Sequence, residues 1–86
     1  EQAIYFLTPK PKTPLAGRCR VVTVFYMKTR RKCDVSNCLE AAHDLLVKGR
    51  ILADDNYTII ESVDGSRVKY DKDNPRTEIT IEELEE

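Results

Sequence analysis

The chain carries a basic string, Lys28-Thr29-Arg30-Arg31-Lys32, that runs almost directly into Asp34, and further along a second acidic cluster, Asp54-Asp55-Asn56. Between them, Val35, Cys38, Leu39, Ala42, Leu45 and Leu46 recur at three- and four-residue steps, which places them on one face of a helix. A helix over 36–48 is about 20 Å long at roughly 1.5 Å per residue. Residues 49–55, if extended, return about 23 Å. Asp54 or Asp55 therefore reaches Asp34 if the chain doubles straight back along the helix. Carboxylates gathered in a dry site repel one another unless a cation balances them. Mg²⁺ is the natural cation, because it takes hard oxygen ligands and keeps several waters for substrate. Beside a Lys/Arg string able to hold phosphates, this is the composition of a metal-dependent phosphodiester-cleaving site.

Each part also has an ordinary structural use. Asp34 can simply cap the helix. Asp54-Asp55-Asn56 can be a loop before a strand, and Lys28, Arg30, Arg31 and Lys32 can be a solvated strand end. His43 is the only histidine, and its place between the two helix faces reads as a surface position. A zinc site from Cys33, Cys38 and His43 is excluded by geometry. Five helical steps, about 500°, separate Cys38 from His43, so their side chains diverge by about 140°. Cys38 falls in the apolar stripe and reads as a small core residue. The three glycines, Gly17, Gly49 and Gly65, are scattered and form no phosphate-cradling loop.

These residues must be positioned by a chain of 86 residues, enough for one domain and one core. With 41% hydrophobic and 34% charged residues it is not disordered by composition. No apolar run approaches the ~18 residues of a membrane-spanning helix. Three cysteines and no secretory signal read as reduced thiols in a cytoplasmic protein. The net charge of −1 hides a division: residues 1–33 hold eight Lys/Arg against one acid, and residues 34–86 hold six against fourteen. A basic half joined to an acidic half suits a polyanion contact beside a cation-binding cluster, or internal charge pairing.

Residues 1–8 read as the end of a helix, and Pro9–Pro14 as a connector. Residues 19–28 are the best strand, apolar on both faces and therefore expected to be covered on both sides. Asn37 and Glu40 have capping-box spacing, and Asp34 or Ser36 can also cap the helix. Gly49 is expected to take the left-handed conformation after its last turn. Strands are expected at 57–63 and 77–81, with a short one at 68–70. Asp64-Gly65 and Asp73-Asn74-Pro75 are turns.

Asp34-Val35-Ser36-Asn37 at a helix start, then a Leu-rich helix, Gly49, Ile51-Leu52, Asp54-Asp55 and a strand resemble the RusA family of Holliday-junction resolvases. These are small dimeric Mg²⁺-dependent endonucleases of bacteria and their prophages. The resemblance spans residues 18–81. Asp34 matches the first acid of the family's Asp-x-Asp-Asn motif and Asn37 its Asn. Asp54 and Asp55 match the later pair, of which Asp55 would be the stronger metal ligand. Ser36 stands where the family usually has the second motif Asp, and Glu40 where it usually has a helix Lys. The family usually has a further N-terminal strand, so the chain reads as one truncated RusA-like domain.

The expectation is an α+β fold, with a small mixed sheet packed against one main amphipathic helix. The resemblance implies a structure-selective endodeoxyribonuclease that resolves four-way DNA junctions in recombination and repair, acting as a homodimer without membrane attachment. Asp34, Asp54 and Asp55 would hold Mg²⁺, with Ser36, Asn37 and Glu40 beside them. Lys28, Arg30, Arg31 and Lys32 would hold backbone phosphates. The alternatives are a DNA-binding relative that has lost its chemistry at Ser36 and Glu40, or a structural or interaction domain.

Overall fold

The structure is a computed structural model that describes residues 3–30 and 34–84. In chain order its elements are β1 (Ala3–Phe6), β2 (Cys19–Met27), α1 (Val35–Lys48), β3 (Ile60–Ser62), β4 (Arg67–Tyr70) and β5 (Arg76–Glu83). This is the expected α+β fold of one helix and a mixed sheet. β2, the run of β-branched and aromatic residues, is its central strand. β5 pairs antiparallel with one edge of β2, and β1 pairs parallel with β5. β3 and β4 share the other edge, both parallel to β2, β3 beside Cys19 and Arg20 and β4 beside Val24–Met27. In the gap between them the Ser66 hydroxyl accepts from the Thr23 amide (3.0 Å) and donates to the Val21 carbonyl (3.3 Å). One side chain thus satisfies the backbone groups that neither short strand reaches.

Cys19, Val21, Thr23 and Phe25 point to the helix side and are buried; Arg20, Val22, Val24 and Tyr26 point the other way and are only half-buried. The expectation that β2 is covered on both sides is therefore corrected. Its second face carries no further layer among the described residues. Side-chain pairs lie across it instead: Arg20 bridges Glu82 at 2.9 Å, and the Arg76 guanidinium lies 3.7 Å from the centre of the Tyr26 ring. The turn at Gly65, whose φ of +95° suits glycine, lies against Val22. Arg76 also reaches Asp71 (2.9 Å) and Glu78 (2.8 Å). Its hydrogen bond holds the Asp71 carboxyl below the ordinary carboxylate range.

The core joins Cys19, Val21 and Ile79 of the sheet to Leu46 of the helix and to Ile51, Leu52, Ile59 and Ile60 of the segment that follows it. The Cys19 thiol donates to the Ile59 carbonyl (3.0 Å), and burial pushes its pKa up, as befits a packed thiol rather than a nucleophile.

Four expectations change in detail. Ala3–Phe6 is a strand and not the end of a helix; Ile4-Tyr5-Phe6 is β-branched and aromatic, and it fills the open edge of β5. The strand expected over 57–63 is only Ile60–Ser62, because the Asn56 carbonyl accepts from the amides of Ile59 (3.0 Å) and Ile60 (2.9 Å) and holds 56–59 in a turn. The apolar stripe of α1 is wider than the sheet that covers it. Ala42 and Leu46 are buried, but Leu45 is 55% exposed. Leu45 and Cys38 help line a groove of about 690 Å³ beside Ile4, Phe6 and Ile79.

The fourth change is at the end of α1. Gly49 has φ −79°, and Arg50 has φ 62° instead. The Ile51 amide donates to the Leu46 carbonyl (2.9 Å) and the Arg50 amide to the Val47 carbonyl (3.0 Å). This pair of bonds is a Schellman cap with its left-handed residue at position 50. Gly49 serves close approach: a Cβ there would stand 3.1 Å from the Leu45 carbonyl oxygen. A left-handed conformation costs an L-residue roughly 1–2 kcal/mol, part of which glycine returns through its freer unfolded chain. Arg50→Gly should therefore raise stability by about 0.5–1 kcal/mol in urea unfolding.

Candidate functional site

β2 ends at Met27, and the chain passes through Lys28 and Arg30, both exposed, towards the helix. Arg31 and Lys32 lie outside the described residues. The Arg30 guanidinium stacks over the ring of Tyr70 at 4.3 Å from its centre. Asp34 then caps α1: its backbone is extended, and its Oδ1 accepts from the Ser36 amide at 2.9 Å. The ordinary reading of Asp34 is thus realised, with Oδ1 committed to the cap. The Asn37–Glu40 capping-box pair is not the cap.

The reversal after α1 is what brings the second acidic cluster back. Leu15 pins it. Its amide donates to the Ile51 carbonyl (2.9 Å), and its carbonyl accepts from the Ala53 amide (2.9 Å). The chain is then led along the helix. Asp55 and the helix residues Asn37, Glu40, Ala41 and Asp44 line one small surface concavity. Asp54 turns into its own loop, where Oδ1 accepts from the Asp55 amide (2.7 Å) and Oδ2 from the Asn56 side-chain amide (3.2 Å). The Asn56 side chain in turn accepts from the Thr58 amide (2.9 Å) and the Thr58 hydroxyl. The triplet is therefore a structured loop that presents Asp55 to the concavity and ties up the exposed Asp54 in its own hydrogen bonds.

The structure thus joins Asp55 to Asn37 and Glu40, while Asp34 sits at the cap and Ser36 in the first turn. Asp44 is the residue the sequence reading missed. Positions 37, 40, 41 and 44 repeat at three- and four-residue steps, and that polar face was the available signal. Asp44 is ion-paired to Lys48 at 2.9 Å, which leaves Glu40 and Asp55 as the carboxylates of the concavity without an ion-pair partner among the described residues. These are hard oxygen donors of the kind Mg²⁺ takes. Among the described residues, however, no three His, Cys, Asp or Glu side chains converge closely enough to enclose an ion. The set fits Mg²⁺ in chemistry as an open site completed by water and substrate, not as a closed protein cage.

His43 is not the surface residue expected. It is half-buried, and its Nε2 has no hydrogen-bond partner among the described residues. Burial pushes its pKa below the ordinary value, with the Asp55 charge opposing. The unfolded chain then takes up a proton near pH 6.5, before the folded chain does. Stability is full above that pH and falls as the pH drops towards the lower folded value. The unfolding midpoint should decline from pH 7.5 to pH 5, and His43→Leu should flatten that decline.

The cap and any chemistry at Asp34 are separable. Asp34→Ala should cost about 1 kcal/mol by loss of the cap, whereas Asp34→Asn, which also caps well, should cost only a few tenths. Urea unfolding of the two variants checks this.

No helix of the described residues is long and apolar enough to cross a membrane. Neither a curated protein nor a solved structure shows a significant match to the chain. The sequence model of the family Endodeoxyribonuclease RusA matches residues 2–82, nearly the whole chain. That family comprises nucleases that resolve Holliday junctions, generally with a divalent metal. The basic strand end, the capped helix and the acidic loop led back along it lie within the matched span, and the chain belongs to the RusA endodeoxyribonuclease family.

Proposed function

We propose that this protein is a Mg²⁺-dependent endodeoxyribonuclease that cuts four-way DNA junctions during recombination and repair, acting in the cytoplasm as a homodimer. The observation that carries this reading is the concavity shared by Asp55 with Asn37 and Glu40, in a chain of this family. Of the expected trio Asp34, Asp54 and Asp55, Asp55 would be the foremost holder of Mg²⁺, because Asp34 and Asp54 already spend oxygens on the cap and the loop and the three do not close on one ion. When bound there, Mg²⁺ supplies activation of water and stabilisation of charge on the scissile phosphate. Asn37 offers a neutral amide to orient water or a phosphate oxygen. Lys28, Arg30, Arg31 and Lys32 grip backbone phosphates and so set register without reading sequence. Two-fold pairing of subunits would present two such sites to opposite strands of a junction.

A second reading, a DNA-binding relative without cleavage, is favoured by the absence of an acid at Ser36 and by the carboxylate at Glu40. Assays with labelled four-way junctions in EDTA and in Mg²⁺ separate the two. Cleavage only with Mg²⁺ supports the enzyme, and salt-sensitive binding without cleavage supports the relative. Neither result would leave an interaction domain. For the enzyme, Asp55→Asn should lower cleavage by at least the ~100-fold that loss of a metal-site partner costs. Asp34→Asn should lower cleavage while leaving stability nearly intact. Ser36→Asp with Glu40→Lys should raise the rate. A fall on that double change would mean that Glu40 is itself a working ligand. Arg30→Ala with Arg31→Ala should flatten the salt dependence of binding by roughly 0.9 in slope per lost phosphate contact.

A further inference from the structure

Two of the described arginines lie over tyrosine rings, and they differ in what their N–H groups do. Arg76 lies over Tyr26, and its donors are spent on Asp71 (2.9 Å), Glu78 (2.8 Å) and the Asn74 carbonyl (2.9 Å). Its charge is neutralised, and it serves the turn between β4 and β5. Arg30 lies over Tyr70 in the same manner. It is exposed, however, and pairs with no carboxylate among the described residues.

The register explains how the second pair forms. β4 runs parallel to β2 with Tyr70 beside Met27, the last residue of β2, so the ring stands where the basic string leaves the sheet. By strand alternation Tyr70 shares the helix side with Phe25, whose ring is buried. The aromatic face covers one face of the guanidinium and leaves the in-plane N–H fork open. That fork matches the oxygens of a phosphate.

We propose that Tyr70 is a positioning residue that holds Arg30 as a preset clamp for a backbone phosphate of DNA, an inference that rests on the nuclease reading above. The ring limits the rotamers of a long side chain before the ligand arrives, so less freedom is lost on binding. The clamp lies at the end of the β2 edge that β3 and β4 share.

The test is binding of a fluorescein-labelled four-way junction in EDTA, over a salt series, by the full chain. Tyr70→Ala should weaken binding about threefold, the worth of an exposed cation–aromatic contact. Tyr70→Phe should bind like the wild type. Tyr70→Leu, which keeps apolar bulk but has no ring face, should behave like the alanine variant and guards against misfolding of the latter. In an Arg30→Ala background, Tyr70→Leu should cost nothing further, because the ring acts through the arginine. Equal losses in both backgrounds, or wild-type binding by Tyr70→Leu, would overturn the positioning role while leaving the nuclease reading in place. A wild type that binds no junction at any salt would overturn both.

Discussion

The backbone of Cys19–Met27 presents hydrogen-bonding groups on both edges, and burial of its alternate side chains shuts water away from most of them. Each edge must find partners. On one side β5 supplies a continuous antiparallel ladder over eight residue pairs, long enough to fix the register of everything attached to it. On the other, two strands too short to cover the edge alone divide it, and Ser66 closes the gap. Chain connectivity follows. β3 and β4 are consecutive but not a hairpin, since both run parallel to β2. The turn at Gly65 therefore lies against Val22 and returns the chain to the same edge of β2, without folding it back on itself.

That arrangement fixes what stands together at the two ends of the sheet. Where β2 ends, Arg30 meets Tyr70 at the end of β4. Where it begins, Ile60 pairs with Cys19, and the segment feeding β3 must arrive from the far end of the helix. The Schellman reversal at Arg50 and the anchorage of residues 51–53 on Leu15 turn that requirement into a specific path. The path is short, and it delivers Asp55 to the polar face of α1. The acidic concavity is thus a consequence of sheet registration, and the left-handed Arg50 is a strain that the surrounding core tolerates through Leu46, Ile51 and Leu52.

Much of this was legible in the sequence, for physical reasons that differ by element. The helix announced itself through its 3.6-residue apolar period, and β2 through a dense β-branched run. Chain reach allowed a return of the acidic loop along the helix, but the loop meets the helix at Asn37, Glu40 and Asp44 and not at Asp34. What stayed hidden depends on partners distant in sequence. Ala3–Phe6 is a strand because β5 has an open edge, which no local pattern reveals. The placement of the left-handed residue at 50 and not 49 depends on which amide closes onto Leu46. The one-sided cover of β2 could not be read from Val22, Val24 and Tyr26, because cross-strand charges shield them without a second layer. Tyr70 is one aromatic in a four-residue strand, and its meeting with Arg30 depends on parallel register. Of the site, residue types were readable, and the resemblance already set Asp55 above Asp54; that Asp34 and Asp54 spend oxygens on the cap and the loop was not readable.

The two departures from the family pattern now have a common electrostatic meaning. A lysine replaced by Glu40 changes the local charge by two negative units, and an aspartate replaced by Ser36 returns one. Glu40 lies on the same concavity as Asp55, whereas Ser36 spends its amide on the cap of the helix. Two carboxylates on one wall repel an approaching phosphate, and salt screens that repulsion only over about a Debye length, near 8 Å under physiological conditions. In such a site, under the proposed function, the attraction that would bring DNA close comes from outside the concavity, from the basic end of β2. A divalent ion would then be needed to bind the phosphate as well as to activate water, because the lysine that would share the first task is gone. Under the proposed function, binding and chemistry would be more tightly coupled to the metal here than in a site with Asp at position 36 and Lys at position 40. The basic string would then carry correspondingly more of the metal-free affinity for DNA.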